Sequence, residues 1–388
     1  MLNRRDFVRA ASGLLVPGAL TLARNPRGSV SGSALPAAVI AAGFTNQTFG
    51  PNLTLGGNWF FHNFYNGATS GATQNGNGIS IDGTTTYGIA SAHSTGGQSW
   101  AGTAFGGGGY FEATFSFPPS ASPGSHYPAF WANDIEAMAP NAVTLADQWP
   151  GQATGYGEWI EHDYFELDAG NVTQFGSALH SWYGTVPGAS STSTSSADIG
   201  NPLSIGSNSW VNPQSIGALW IPATVSSQGS YQTFVNRVPV GNAILWDLYD
   251  PTNSPPPVKG SSAYSIVDIR HMVCVLNTSL VCAPMLVYSM SVYQATAANN
   301  ITGSLTLSST SPLTGATHAV PYTNALSFSG GTGPYTGKVL ANTLGNTWTC
   351  PAGTLTGTPT VTGTDYVTVQ ISDVNKKSIQ GTFAVTVS

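Results

Sequence analysis

The chain is 388 residues long, carries charge on only 7% of its side chains, contains 46 glycines and has a net charge of −6. Its length exceeds that of a usual single domain, and its charge content lies far below the roughly 25% typical of soluble proteins. Only eleven side chains are basic, five of them within the first 27 positions, which argues against a nucleic-acid or anionic-membrane partner, since phosphate binding needs clustered Lys and Arg.

The first residues, Asn3-Arg4-Arg5-Asp6-Phe7-Val8-Arg9, lead into Leu14-Leu15-Val16 and small residues up to Ala23. That pattern looks like a twin-arginine export signal over 1–30, with an ordinary secretory leader as the alternative. The apolar run is too short to span a bilayer, so no membrane insertion is expected. Without the leader, six basic face sixteen acidic side chains, a net charge of −10. Residues 31–43 read as a small-residue linker.

From Phe44 onward, short apolar runs separated by Gly, Asn, Ser and Thr predict an all-β sandwich. Trp59-Phe60-Phe61, Gly78-Ile79-Ser80-Ile81 and Tyr110 to Phe117 are strand-like, and Asp82-Gly83 is a hairpin signal. Tyr127-Pro128-Ala129-Phe130-Trp131 follows. A sugar ring stacks its C–H face on such aromatic surfaces. Trp131 is therefore a candidate substrate platform, with a core indole as the competing role.

The segment from Gly157 to Asp168 holds five carboxylates: Glu158, Glu161, Asp163, Glu166 and Asp168. No Lys or Arg occurs between Arg27 and Arg237, so these acids have no sequence-local counter-charge. Crowded carboxylates raise one another's pKa. Trp159, Ile160, Tyr164, Phe165 and Leu167 favour a half-buried strand. Strict alternation would separate Glu161 and Asp163 from Glu166, whereas a single β-bulge between Asp163 and Glu166 brings all three to one face. Two carboxyl groups roughly 5 to 5.5 Å apart are what a retaining glycosidase requires. A calcium site or a solvated acidic strand would use the same residue types.

Leu179-His180-Ser181-Trp182-Tyr183 comes next, followed by a Ser/Thr/Gly-rich loop over 184–208. His180, Trp182 and Tyr183 are candidate cleft residues, with a structural histidine equally suited to the first position. Segments 217–222 and 231–236 read as a hairpin, and Met272 to Asn277 and Met285 to Gln294 as closing strands. Cys274, Cys282 and Cys350 fit an oxidising compartment with at most one intramolecular disulfide, Cys274 and Cys282 being the favoured pair. No cysteine or histidine spacing suggests zinc. Residues 295–303 are a small polar linker, and 304–388 a Thr/Ser/Gly-rich stretch of short strands.

Four blocks in order, Tyr110-Phe111-Glu112-Ala113, Tyr127 to Trp131, Glu161-x-Asp163-x-x-Glu166 and Met290-Ser291-Val292-Tyr293-Gln294, resemble glycoside hydrolase family 16 over 44–294. The resemblance implies a concanavalin-like jelly roll and a retaining endo-enzyme for β-linked polysaccharide, foremost a β-1,3 or mixed-linkage glucan. By motif position it implies Glu161 as nucleophile, Asp163 as its tuning partner, Glu166 as acid and base, and Trp131, His180, Trp182 and Tyr183 around the substrate. His162 stands where the family carries an aliphatic residue and would point to the core. The segment over 304–388, with Gly330-Gly331-Thr332-Gly333-Pro334-Tyr335 and Gly357-Thr358-Pro359, resembles bacterial immunoglobulin-like domains, which act as spacers or in adhesion. Together these imply a secreted or periplasmic monomer with no cofactor beyond a structural calcium ion. A lectin or an adhesion protein on the same fold is the alternative.

Overall fold

The computed structural model describes residues 34–56, 58–61, 71–83, 88–96, 99–118, 128–138, 156–167, 171–185, 193–205, 209–249, 260–302, 305–307, 309–330, 333–374 and 378–388. The expected export signal, Tyr127 and Asp168 lie outside them.

Two antiparallel sheets make a jelly-roll sandwich. In spatial order, one has seven strands: Ser193–Ser204, Gln174–Thr185, Tyr156–Leu167, Ala129–Asp134, Met272–Asn277, Gly88–Ala90 and Phe60–Phe61. The other runs Val238–Trp246, Gly229–Val235, Gln214–Ile221, Gly109–Ser116, Met285–Gln294, Gly78–Ile81 and Ala72–Asn75, with Asn46–Phe49 also pairing to Met285–Gln294. The chain passes back and forth between the two sheets, so neither can bury its apolar face without the other.

Side-chain alternation builds the core between them. Along Gly109–Ser116, Phe111, Ala113 and Phe115 point inward to meet Phe130, Ala132, Ile160, Tyr164, Cys274 and Leu276 from the opposite sheet. Trp210 fills one end, with ring centroids 5.9 Å from Phe115, 5.0 Å from Phe117 and 4.8 Å from Phe165. Each such side chain contributes about 1.5–3 kcal/mol on burial, which more than compensates for the modest β-propensity of the Gly- and Ser-rich sequence around it.

Several expectations change. The 31–43 segment is no bare linker: Ala37–Ala41 is helical, and Val39 and Phe44 bury against Tyr110, Leu219 and Phe234 on the outer face of the eight-stranded sheet. The hairpin of Gly78–Ile81 lies before it, through Gly76-Asn77 to Ala72–Asn75, so Asp82-Gly83 does not close a hairpin. The next strand, Gly88–Ala90, belongs to the other sheet. Within the expected 184–208 loop, Ser193–Ser204 is an edge strand, because pairing with Gln174–Thr185 satisfies a backbone that its Ser/Thr side chains would not hold in register alone. In the 295–303 segment, Ile301 is buried and pairs with Ala104, and Asn300 is hydrogen-bonded to Gln294.

All three cysteines are buried thiols with no disulfide. The expected Cys274–Cys282 pair fails because the connection between them does not close a hairpin: Met272–Asn277 and Met285–Gln294 lie in opposite sheets.

Residues beyond 304 form short antiparallel sheets around a separate core of Trp348, Leu355, Val367, Val369, Phe383 and Val385. Its polar anchor is the buried Asp365, which accepts hydrogen bonds from the Thr343 and Leu344 backbone, Asn346 Nδ2 and Trp348 Nε1.

Candidate active site

The acidic segment is the strand Tyr156–Leu167, third from the edge of the seven-stranded sheet. Ile160, His162 and Tyr164 face the core and so do Phe165 and Leu167, which means the alternation breaks between 164 and 165. The register shows the cause. Asp163 pairs with Ala178 and Glu166 with Gly176, and on the other side Asp163 pairs with Trp131 and Phe165 with Phe130, so one strand carries an extra residue. This is the expected bulge, and it returns Glu166 to the outer face that Glu161 and Asp163 occupy.

Residues directly opposite in antiparallel strands share a face, so the site can be read in rungs across three strands. The first rung is His180, Glu161 and Asn133; the second is Ala178, Asp163 and Trp131; the third is Gly176, Glu166 and Ala129. The third rung carries the least side-chain bulk. Glu166 stands between a glycine and an alanine, so its cross-strand neighbours crowd it less than those of Glu161 and Asp163 do.

Each of the first two acids has a specific partner from the Gln174–Thr185 strand. Trp182 Nε1 donates to Glu161 Oε2 at 2.8 Å, and His180 Nε2 lies 2.8 Å from Asp163 Oδ2. His180 thus gives Asp163 a partner that the local sequence lacks. Burial pushes the Asp163 carboxyl up to about 7, with the charges of Glu166 and Glu161 adding to the rise and the hydrogen bond and charge of His180 opposing it. Near neutrality a carboxyl of this kind carries its proton part of the time, which spares Glu161 a second full negative charge beside it.

Of the remaining sequence candidates, Trp131 shares the face with the acids, but it is only 4% exposed. Its indole donates to Asn277 Oδ1 at 3.3 Å, and it packs in one cluster with Trp100, Val273 and Val275. It forms a wall of the site where an open platform was expected, because Trp100 of the strand Ser99–Ala104 joins that cluster. The Tyr183 backbone pairs with Glu158, and its side chain lies outside the described residues. His162 does point to the core, fully buried, amid Tyr164, Trp220 and Tyr231.

Sequence reasoning missed the groups that hold the bulge. Asp163's backbone carbonyl accepts from Ser177 Oγ at 2.9 Å and from Tyr231 Oη at 3.1 Å, and Ser177 Oγ lies 2.6 Å from Thr233 Oγ1. All are buried between the sheets, and the tyrosine and threonine come from the opposite one. A hydroxyl-bearing residue at an inward strand position was the available signal. Asn133, opposite Glu161, was also missed.

Among the described residues, no group of three or more His, Cys, Asp or Glu side chains is arranged to hold a metal ion, and no helix is long and apolar enough to cross a membrane.

No protein-family profile matches the chain, and no curated relative matches it in sequence. Among solved structures, the chain is similar to an endo-1,3-beta-glucanase from Streptomyces sioyaensis at 13% identity and a TM-score of 0.29, covering 70% of this chain and 98% of that one. It is also similar to the exoplasmic/lumenal domain of VIP36 in its calcium- and Man3GlcNAc-bound form, at 9% identity and a TM-score of 0.28, covering 61% of this chain and 84% of that one.

Proposed function

We propose that residues 44–294 form a retaining endo-glycosidase that hydrolyses a β-linked polysaccharide, foremost a β-1,3 or mixed-linkage glucan. The observation that carries this is the bulge between Asp163 and Glu166, which puts three acids on one face with distinct surroundings. A solvated acidic strand has no use for a register break reinforced by buried hydroxyls, nor for an indole and an imidazole each aimed at one carboxyl.

The chemistry follows the two-carboxylate scheme. Glu161, oriented by Trp182, attacks the anomeric carbon as the C1–O bond breaks, and Glu166 gives its proton to the departing sugar oxygen. Glu166 then takes a proton from water as that water attacks C1 and displaces Glu161. Asp163, paired with His180, tunes the charge beside the nucleophile. The less crowded rung of Glu166 suits the leaving sugar, and Trp131 lines the wall on the Asp163 side.

Within the same proposal, residues 1–30 are an export signal, the protein is secreted or periplasmic and monomeric, and 304–388 is an immunoglobulin-like spacer without chemistry. The test of roles is a pair of variants. Glu161→Gln abolishes hydrolysis with substrate binding retained, and Glu166→Gln spares substrates with activated leaving groups more than natural glycans. Normal cleavage by Glu161→Gln, or equal loss on both substrate types with Glu166→Gln, contradicts the assignment.

A further inference from the structure

Asn133 is the third member of the Glu161 rung, directly opposite that acid on the Ala129–Asp134 strand and two residues from Trp131 on the same face. It is 3% exposed, and its Oδ1 has no hydrogen-bond partner among the described residues. Its other cross-strand neighbour is Val273, an apolar side chain that offers none. A buried amide oxygen left unpaired is costly, and native structures retain few of them without a use. Among the described residues, the one other orphaned acceptor on this face is Asp163 Oδ1, on the adjoining rung. The unsatisfied acceptors of the sheet's outer face, among the described residues, therefore stand beside the candidate nucleophile and at its neighbour.

We infer that Asn133 is a substrate-positioning residue whose Oδ1 accepts the 2-hydroxyl of the sugar ring bound against Glu161. The inference rests on the glycosidase proposal above. When a carboxylate approaches C1 of a pyranose, the hydroxyl nearest the nucleophile is the one on C2, and hydrogen bonds to that hydroxyl strengthen as the ring flattens toward the transition state. A side chain one rung across from Glu161 is placed to take that hydrogen bond. The partner of Asn133 is then supplied by substrate, which selects for rings that carry the 2-hydroxyl, because an analogue lacking it leaves the buried amide unpaired.

The experiment uses the full-length protein and two probes, 4-nitrophenyl β-laminaribioside and its counterpart without the 2-hydroxyl on the ring bearing the nitrophenyl group. Wild type is expected to favour the parent in kcat/KM by about 30-fold or more, against the greater intrinsic reactivity of deoxy glycosides. In Asn133→Ala that preference collapses to within about threefold, through a fall on the parent alone. Asn133→Thr, which keeps an oxygen acceptor in a smaller side chain, retains part of the preference. A purely structural Asn133 would lower both substrates together and leave their ratio intact, which overturns the inference. A wild type that cleaves both probes equally overturns it with no variant needed. A wild type that cleaves neither these probes nor any β-linked polysaccharide overturns the glycosidase proposal itself.

Discussion

His180 Nε2 stands 2.8 Å from Asp163 Oδ2, on the strand next to the acidic one and a rung away in register. The contact joins a nearly buried imidazole to a carboxyl group that burial and two neighbouring acids push up to about 7. It is the balance of these opposing effects that sets the charge beside Glu161.

Removing His180 therefore raises Asp163 further, since the hydrogen bond and charge of the histidine are what hold it down. In His180→Ala, the alkaline limb of the kcat/KM profile moves to higher pH, and activity at its optimum falls about 10- to 100-fold, the scale of a lost charge-assisted hydrogen bond. A limb that stays in place would mean that Asp163 does not govern it.

The bulge depends on the inter-sheet hydroxyls. Tyr231→Phe removes the 3.1 Å bond to the Asp163 carbonyl and costs about 1 kcal/mol of stability. Ser177→Ala removes the 2.9 Å bond to the same oxygen. The double variant leaves the carbonyl without either, so its loss exceeds the sum of the two in denaturant unfolding, and kcat falls more than KM rises. Additive effects with unchanged kcat would show that the bulge holds without them.

His162 contributes in the opposite sense. Burial, with the charge of His180 behind it, pushes its pKa down to about 3 from the ordinary 6.5, and neither ring nitrogen has a hydrogen-bond partner among the described residues. The depressed value makes the folded state bind fewer protons than the unfolded chain, so stability is lost as pH falls from about 6.5 toward 3. His162→Leu removes both the unsatisfied nitrogens and that proton uptake. It is expected to stabilise by roughly 1–3 kcal/mol, with a larger gain in Tm near pH 5 than near pH 8. An equal gain at both pH values would mean that the imidazole does not titrate on unfolding.

The legible part of this molecule was whatever follows from local pattern. Five acids among aromatic and β-branched residues announced a strand, and the mismatch between alternation and the Glu161, Asp163 and Glu166 spacing announced a bulge before any partner strand was known. His180 and Trp182 were named with Tyr183 as cleft candidates from residue type alone, without the partner each would take. What depends on the pairing of distant segments was not legible. The hydroxyls of Tyr231 and Thr233 reach Ser177 and the Asp163 carbonyl only because the two sheets face each other, and Asn133 acquires meaning only from its rung with Glu161. The Ser193–Ser204 strand, read as loop, draws its order from an edge that its own side chains do not specify. Trp131 is likewise buried in a cluster that includes Trp100, thirty-one residues earlier in the chain, and Val273, far beyond it.

The most direct test of the glycosidase proposal is product release from laminarin, lichenan, agarose, carrageenan and xyloglucan, with wild type beside Glu161→Gln. Cleavage of laminarin or lichenan by wild type, absent in the variant, is the predicted result. Binding of these glycans without release of product by wild type would contradict it, and would make the outer face of the seven-stranded sheet a lectin site.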